Sequence, residues 1–212
     1  MKQISIIFLV LLLLTSAYAS KPYVEKPLLI KIEKKYKVFA KKRFFYQQKA
    51  LDSVKNKSDL EKLDAVNKFY NKVRYSSDLK IYGKKDYWAT PWQFLGKDMG
   101  DCEDYVISKY FALVYLGVDP AKLFFTYVRS TKFKAAHMVL TYFKTPRSIP
   151  LVLDNNNHKV LPATRRKDLT PVYNFNGSTK SLTKAKGGKK VNSNKANTKW
   201  NGLLRNMKLQ KY

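Results

Sequence analysis

The chain has 212 residues, 45% of them hydrophobic, with 15 Tyr and 12 Phe against only 8 Gly and 8 Pro. That make-up excludes collagenous and intrinsically disordered chains. Lys and Arg outnumber Asp and Glu by 42 to 15, a formal charge of +27, and one cysteine excludes a disulfide within the chain.

The opening segment, MKQISIIFLVLLLLTSAYAS, carries a basic residue at Lys2, an apolar run from Ile4 to Leu14 and the small-residue pattern Ala17-Tyr18-Ala19. This is the layout of a secretory signal peptide over residues 1–19, cleaved before Ser20. The apolar run is too short to cross a hydrocarbon core of about 30 Å as a helix. No later segment is long and apolar enough to span, so an exported, periplasmic protein without stable membrane insertion is expected. Residues 20–212 are expected to fold as one domain.

Residues 21–57 read as a basic helical lead-in with apolar residues at Tyr36, Phe39, Phe44, Leu51 and Val54. A second helix opens at Ser58-Asp59-Leu60-Glu61, the pattern of a capping box. Leu60, Leu63, Val66, Phe69, Tyr70 and Val73 give it an apolar face. DYWATPWQFLGKDMG, broken by Pro91, Gly96 and Gly100, reads as a loop. An apolar helix over Cys102–Leu116 follows, stopped by Gly117.

Three strand signals come next, LFFTYVRS, HMVLTYF and PLVLDN, separated by polar turns as in an antiparallel meander. Helices followed by strands indicate an α+β domain. From Gly177 the chain carries ten Lys or Arg and no acid, so residues 177–199 read as a basic tail. Trp200, Leu203, Leu204 and Met207 then recur at helical spacing, which predicts a docking helix near 198–209.

The chemistry centres on GDCEDY, which sets Cys102 among Asp101, Glu103 and Asp104. Neighbouring carboxylates disfavour a thiolate, whereas a helix start favours one. A cysteine nucleophile needs a base, usually histidine, and a group that orients it. His137 begins a strand signal, and His158 lies in the polar stretch DNNNHK, read as a solvated loop. If strands 137–143 and 150–155 form a hairpin, Asp154 becomes a neighbour of His137. Cys102, His137 and Asp154 are therefore the candidate catalytic set. The charge is read as composition first and as an anionic-partner surface second. Lys far outnumbers Arg, and no nucleic-acid partner is expected.

GDCEDYVISKYFALVYLGV, HMVLTYF, PLVLDN and PATRRKDLTPVYNFNG together resemble the bacterial transglutaminase-like cysteine proteinases, in particular their periplasmic, adhesin-releasing members. The likeness extends upstream through AVNKFYNKVRY and DYWATPWQFL, and covers nearly all of the mature chain. It implies a papain-like, transglutaminase-type α+β fold with the cysteine helix packed on an antiparallel sheet. It implies Cys102 as nucleophile, His137 as general base and acid, and Asp154 as the residue that orients His137. An oxyanion hole is expected from the Cys102 N–H and a side chain of the preceding loop such as Trp88. The resemblance further implies Ca²⁺ at Asp101, Glu103 and Asp104, which would cancel the charge around the thiol. Its implied substrate is a very large surface adhesin, cut near its N-terminus beside small residues, with biofilm dispersal as the outcome. The implied regulator is an inner-membrane cyclic di-GMP receptor that sequesters the protease. Two other readings fit the same residues: a transglutaminase-type acyl transferase, and a non-catalytic basic envelope-binding module.

Overall fold

The computed structural model describes residues 21–178, 181–184 and 193–211. The segment expected to be a signal peptide and parts of the expected basic tail lie outside the described residues. None of the described helices is long and apolar enough to cross a membrane.

The helical half precedes the sheet. Helix α1 (Lys26–Asp52) has its backbone out of helical geometry at Lys37, φ 70°. It buries Leu28, Ile32, Ala40, Phe44 and Leu51, whereas Phe39, expected on the apolar side, is 69% exposed. Helix α2 (Asp59–Tyr70) starts with the expected capping box: Ser58 Oγ accepts from Glu61 N, and Glu61 Oε2 accepts from Ser58 N. Leu63, Val66 and Tyr70 form its buried face, and Leu60 stays in solvent.

The loop expected over residues 86–100 is instead largely ordered. After β1 (Arg74–Tyr75) and α3 (Asp78–Tyr82), helix α4 (Pro91–Lys97) is opened by a second capping box between Thr90 and Gln93. Pro91 sits in the first turn of α4, where its missing N–H breaks no helical bond. Strand β2 (Met99–Gly100) then pairs in parallel with β1, Tyr75 facing Gly100. Helix α5 (Cys102–Tyr115) follows at once and ends before Gly117, φ 82°.

The sheet is antiparallel throughout, in the order β6-β5-β4-β3-β7-β8. Strands β3 (Leu123–Ser130), β4 (Ala135–Tyr142) and β5 (Leu151–Asp154) form the expected meander. Strand β6 (Asn157–Pro162) includes His158, so that residue belongs to a strand and not to a loop; it is exposed. Strand β7 (Leu169–Asn176) lies beside β3, with a register shift that accommodates Pro171. Strand β8 (Ser181–Lys184) completes the edge. Phe125, Met138, Leu140, Leu153 and Phe175 join Ile107, Tyr110 and Leu113 of α5 in the main core. Helix α6 (Ser193–Lys211) seals it, Trp200 packing on Phe111 and against Tyr110, Phe125 and Phe175. The architecture is the expected α+β arrangement, a cysteine helix on an antiparallel sheet.

Candidate active site

Cys102 is the first residue of α5, so its sulfur sits where the helix leaves backbone N–H groups unpaired. A backbone hydrogen bond from Met138 reaches it, which sets the thiol against the His137–Met138 step of β4. On its other side Sγ lies 2.8 Å from Glu103 Oε2. Burial, then the charge and hydrogen bond of Glu103, then Asp101, push the thiol well above its ordinary value, and only the Met138 bond opposes them.

His137 and Asp154 meet as the hairpin requires. Continuing the β4–β5 register past Leu140↔Leu153 sets Asp154 opposite Val139, which leaves His137 on the diagonal of the same face. His137 Nε2 lies 2.9 Å from Asp154 Oδ1, with the two residues 8% and 1% exposed. Binding through Nε2 leaves Nδ1 as the ring nitrogen not engaged by Asp154. Burial pushes the Asp154 carboxyl up. It is outweighed by the bond and charge of His137, the Asn156 N–H and Arg166, which together hold it well below the usual carboxylate range.

The turn carrying Asp154 is tied to α2 by two asparagines. Asn71 Nδ2 donates to Asp154 O at 2.8 Å and Asn67 Nδ2 to Asn157 O at 3.0 Å. Asn67 Oδ1 accepts from Lys109 Nζ at 2.8 Å. Lys109 is fully buried on α5 and burial lowers it to about 7, against the charge of Asp154. Tyr127 and Tyr173 stack at 4.2 Å between centroids. Tyr127 also faces Met138 across the ladder, so the pair walls the thiol on the β3–β7 side.

Of the three acids in GDCEDY, two converge with a residue that sequence reasoning missed. One carboxylate oxygen each from Asp78, Asp101 and Asp104 lie within 4.8 Å of one another. Asp78 arrives at the head of α3, held near Gly100 by the β1–β2 pairing and by Ser76 N to Gly100 O, 2.9 Å. Glu103, the third expected ligand, stands outside this group with its carboxylate on the thiol. Ala89 N donates to Asp104 Oδ1 and Tyr87 N to Asp78 Oδ2. Of the other four oxygens, Asp78 Oδ1, Asp101 Oδ1 and Asp104 Oδ2 are buried without a hydrogen-bond partner among the described residues. Burial first, then the charges of Glu103, Asp104 and Asp78, push Asp101 up to about 10. Asp104 is held well above its usual range, chiefly by burial, and Asp78 is raised by burial as well. Three converging carboxylates, each with a buried oxygen that no hydrogen bond satisfies, fit a hard divalent cation.

Trp88, the expected side-chain donor to an oxyanion, is 5% exposed and stacks on Phe125; its Nε1 has no partner among the described residues. No local signal marks Asp78, which reads as an ordinary acid at a helix start. Asn67 and Asn71 were visible only as two polar residues four apart, one beside the apolar face of α2 and one just past its end.

A half-buried thiol at a helix start, near a strand that carries a buried His–Asp pair, has the residue types and layout that a cysteine hydrolase needs. The model of the bacterial transglutaminase-like cysteine proteinases matches residues 41–173, and the chain belongs to that family. Among solved structures, Legionella pneumophila LapG is 37% identical, with 88% of this chain and 99% of that one covered at a TM-score of 0.71. Its EGTA-treated form is covered over 88% and 100% at a TM-score of 0.72, and its calcium-bound form over 84% and 98% at 0.68. This chain is a cysteine protease of LapG type. Among curated proteins no sequence matches.

Proposed function

We propose that this chain is an exported, calcium-dependent endopeptidase that cuts the N-terminal region of a large surface adhesin and so promotes biofilm dispersal. The observation that carries the catalytic part is the buried His137–Asp154 pair beside Cys102. His137 Nδ1 takes the Cys102 proton, and the sulfur attacks the scissile carbonyl carbon. The tetrahedral oxyanion is met by the Cys102 N–H and, in this reading, the Trp88 indole. On collapse the C–N bond breaks, and the imidazolium gives its proton to the leaving amine. Water, deprotonated by His137, then cleaves the thioester and regenerates the thiol.

Calcium would be held by Asp78, Asp101 and Asp104, whose carboxylates converge and each carry a buried oxygen without a hydrogen-bond partner among the described residues. Glu103 is the further acid within reach. Bound there, calcium would oppose the Glu103 and Asp101 charges that, after burial, raise the thiol. The adhesin substrate and a sequestering inner-membrane cyclic di-GMP receptor rest on the resemblance in the motifs and on the likeness to LapG. Lysine-rich surface would speed encounter with an acidic receptor face, and salt would weaken it.

The test is genetic and direct. In cells lacking this chain, the surface adhesin should accumulate; full-length wild type should release it into the medium, and Cys102→Ala should not. Release by Cys102→Ala would contradict the proposal.

A further inference from the structure

Asp154 carries two oxygens, and they face different partners. Oδ1 accepts from His137 Nε2 and from Asn156 N, each at 2.9 Å. Oδ2 accepts from Arg166 Nη2 at 2.7 Å. The same guanidinium is fixed from behind by Asp168: Nε to Oδ1 at 2.9 Å and Nη2 to Oδ2 at 2.8 Å. Arg166 is 6% exposed, although it follows the exposed Arg165 in a stretch rich in basic residues. Its backbone is pinned as well, N to Ala163 O at 2.9 Å and O to Leu169 N at 3.0 Å. Asp168 O accepts from Thr131 N at the end of β3, 2.9 Å. The clamp is therefore built on the β6–β7 connection and braced against the strand beside β4.

We infer that Arg166, anchored by Asp168, is a positioning residue that turns the Asp154 carboxylate so that Oδ1 is presented to His137. The inference rests on the reading that His137 and Asp154 activate Cys102. A carboxylate torsion is broad and roughly two-fold on its own. A planar guanidinium bound at two points fixes the direction of its hydrogen bond, which a lysine ammonium does not. The other groups on Asp154 leave Oδ2 unheld. Asn156 N holds Oδ1, Asn71 holds the backbone carbonyl, and Lys109, facing it from α5, bonds Asn67. None of them supplies Oδ2 with a bond, so removing Arg166 leaves a buried oxygen unpaired and the carboxylate anchored through Oδ1 alone.

The experiment uses the full mature chain with calcium and follows alkylation of Cys102 by iodoacetamide from pH 5 to 9. This reports thiolate formation without any substrate, and thermal unfolding is recorded alongside. Wild type should show a rate at neutral pH that His137→Ala abolishes. Arg166→Met should lower that rate by about 10- to 100-fold, by analogy with the outer-shell partners that orient metal-binding histidines. Arg166→Lys should recover only part of it, and Asp168→Asn, which keeps the arginine, should fall between. A wild-type rate in Arg166→Met overturns the inference. So does a loss in Arg166→Met and Asp168→Asn that merely tracks a lower unfolding midpoint, because Arg166 would then serve folding alone. If His137→Ala leaves the wild-type rate unchanged, the underlying reading of the site fails, and the inference with it.

Discussion

Gly100 and Asp104 compete for one space: a Cβ built on Gly100 would lie 2.6 Å from Asp104 Oδ2 and would also strike the Phe94 ring. The absent side chain is what lets the Asp104 carboxylate swing in beside Asp78 and Asp101. Gly100→Ala should therefore displace Asp104 and weaken calcium binding by at least about 10-fold, a loss of roughly 1.4 kcal/mol. Calorimetric titration of the full mature chain with calcium checks this; an unchanged affinity would remove Asp104 from the cation site.

Calcium should also invert how stability depends on pH. Without a cation, the folded chain holds protons on Asp78, Asp101 and Asp104 above the unfolded carboxyl value of about 3.9. Groups raised in the folded state contribute stability that is full below that value and is lost as pH rises towards the folded one, about 10 for Asp101. In EGTA, unfolding midpoints should therefore decline as pH rises from about 4. With calcium at 100 times its Kd, unfolding should cost about 2.7 kcal/mol more, and the gain should grow with pH as protons cease to compete. Parallel pH curves with and without calcium would count against the site.

Asp154→Asn keeps size and shape but loses the charge that stabilises an imidazolium. By analogy with serine-protease triads, kcat should fall by about 10,000-fold with KM little changed. Steady-state kinetics on a cleavable peptide measure it, and a loss confined to KM would assign Asp154 to binding. Because Asp154 is held below the usual carboxylate range, the stability it contributes should persist above about pH 3.9 and be lost only as pH falls through its lower folded value.

Helix α6 should prove part of the folded core. Trp200 is 2% exposed, between Phe111 and the sheet residues Phe125 and Phe175. Trp200→Ala should destabilise the chain by about 3–5 kcal/mol, read from urea unfolding. A change below 1 kcal/mol would mean that the helix docks only loosely.

What could be read from sequence was what depends on near neighbours along the chain. Ser58 and Glu61 announce α2 because a capping box is complete within four residues, and Gly117 ends α5 because it takes a positive φ at no cost. His137 and Asp154 were reachable because a hairpin converts sequence order into contact. Pro91 misled, since a proline in a first helical turn carries the same letter as one that breaks a helix; the Thr90–Gln93 box was the overlooked cue. His158 looked like loop because the half of its strand that holds it, Asn157-His158-Lys159, is polar and follows a run of asparagines. Asp78 and Arg166 could not have been found locally. Each gains its role by meeting residues far along the chain, through the β1–β2 pairing and through the connection that returns to β3.

The central claim is peptide-bond cleavage through Cys102 under calcium control. The most direct measurement incubates full-length mature protein with the N-terminal segment of the same cell's largest surface adhesin and resolves the products by mass spectrometry. The account predicts a single cut that requires calcium, is blocked by EGTA and is absent in Cys102→Ala. Cutting that persists in EGTA would contradict calcium control. An intact adhesin segment that instead gains an added primary amine would mark the chain as an acyl transferase and contradict the proteolytic reading.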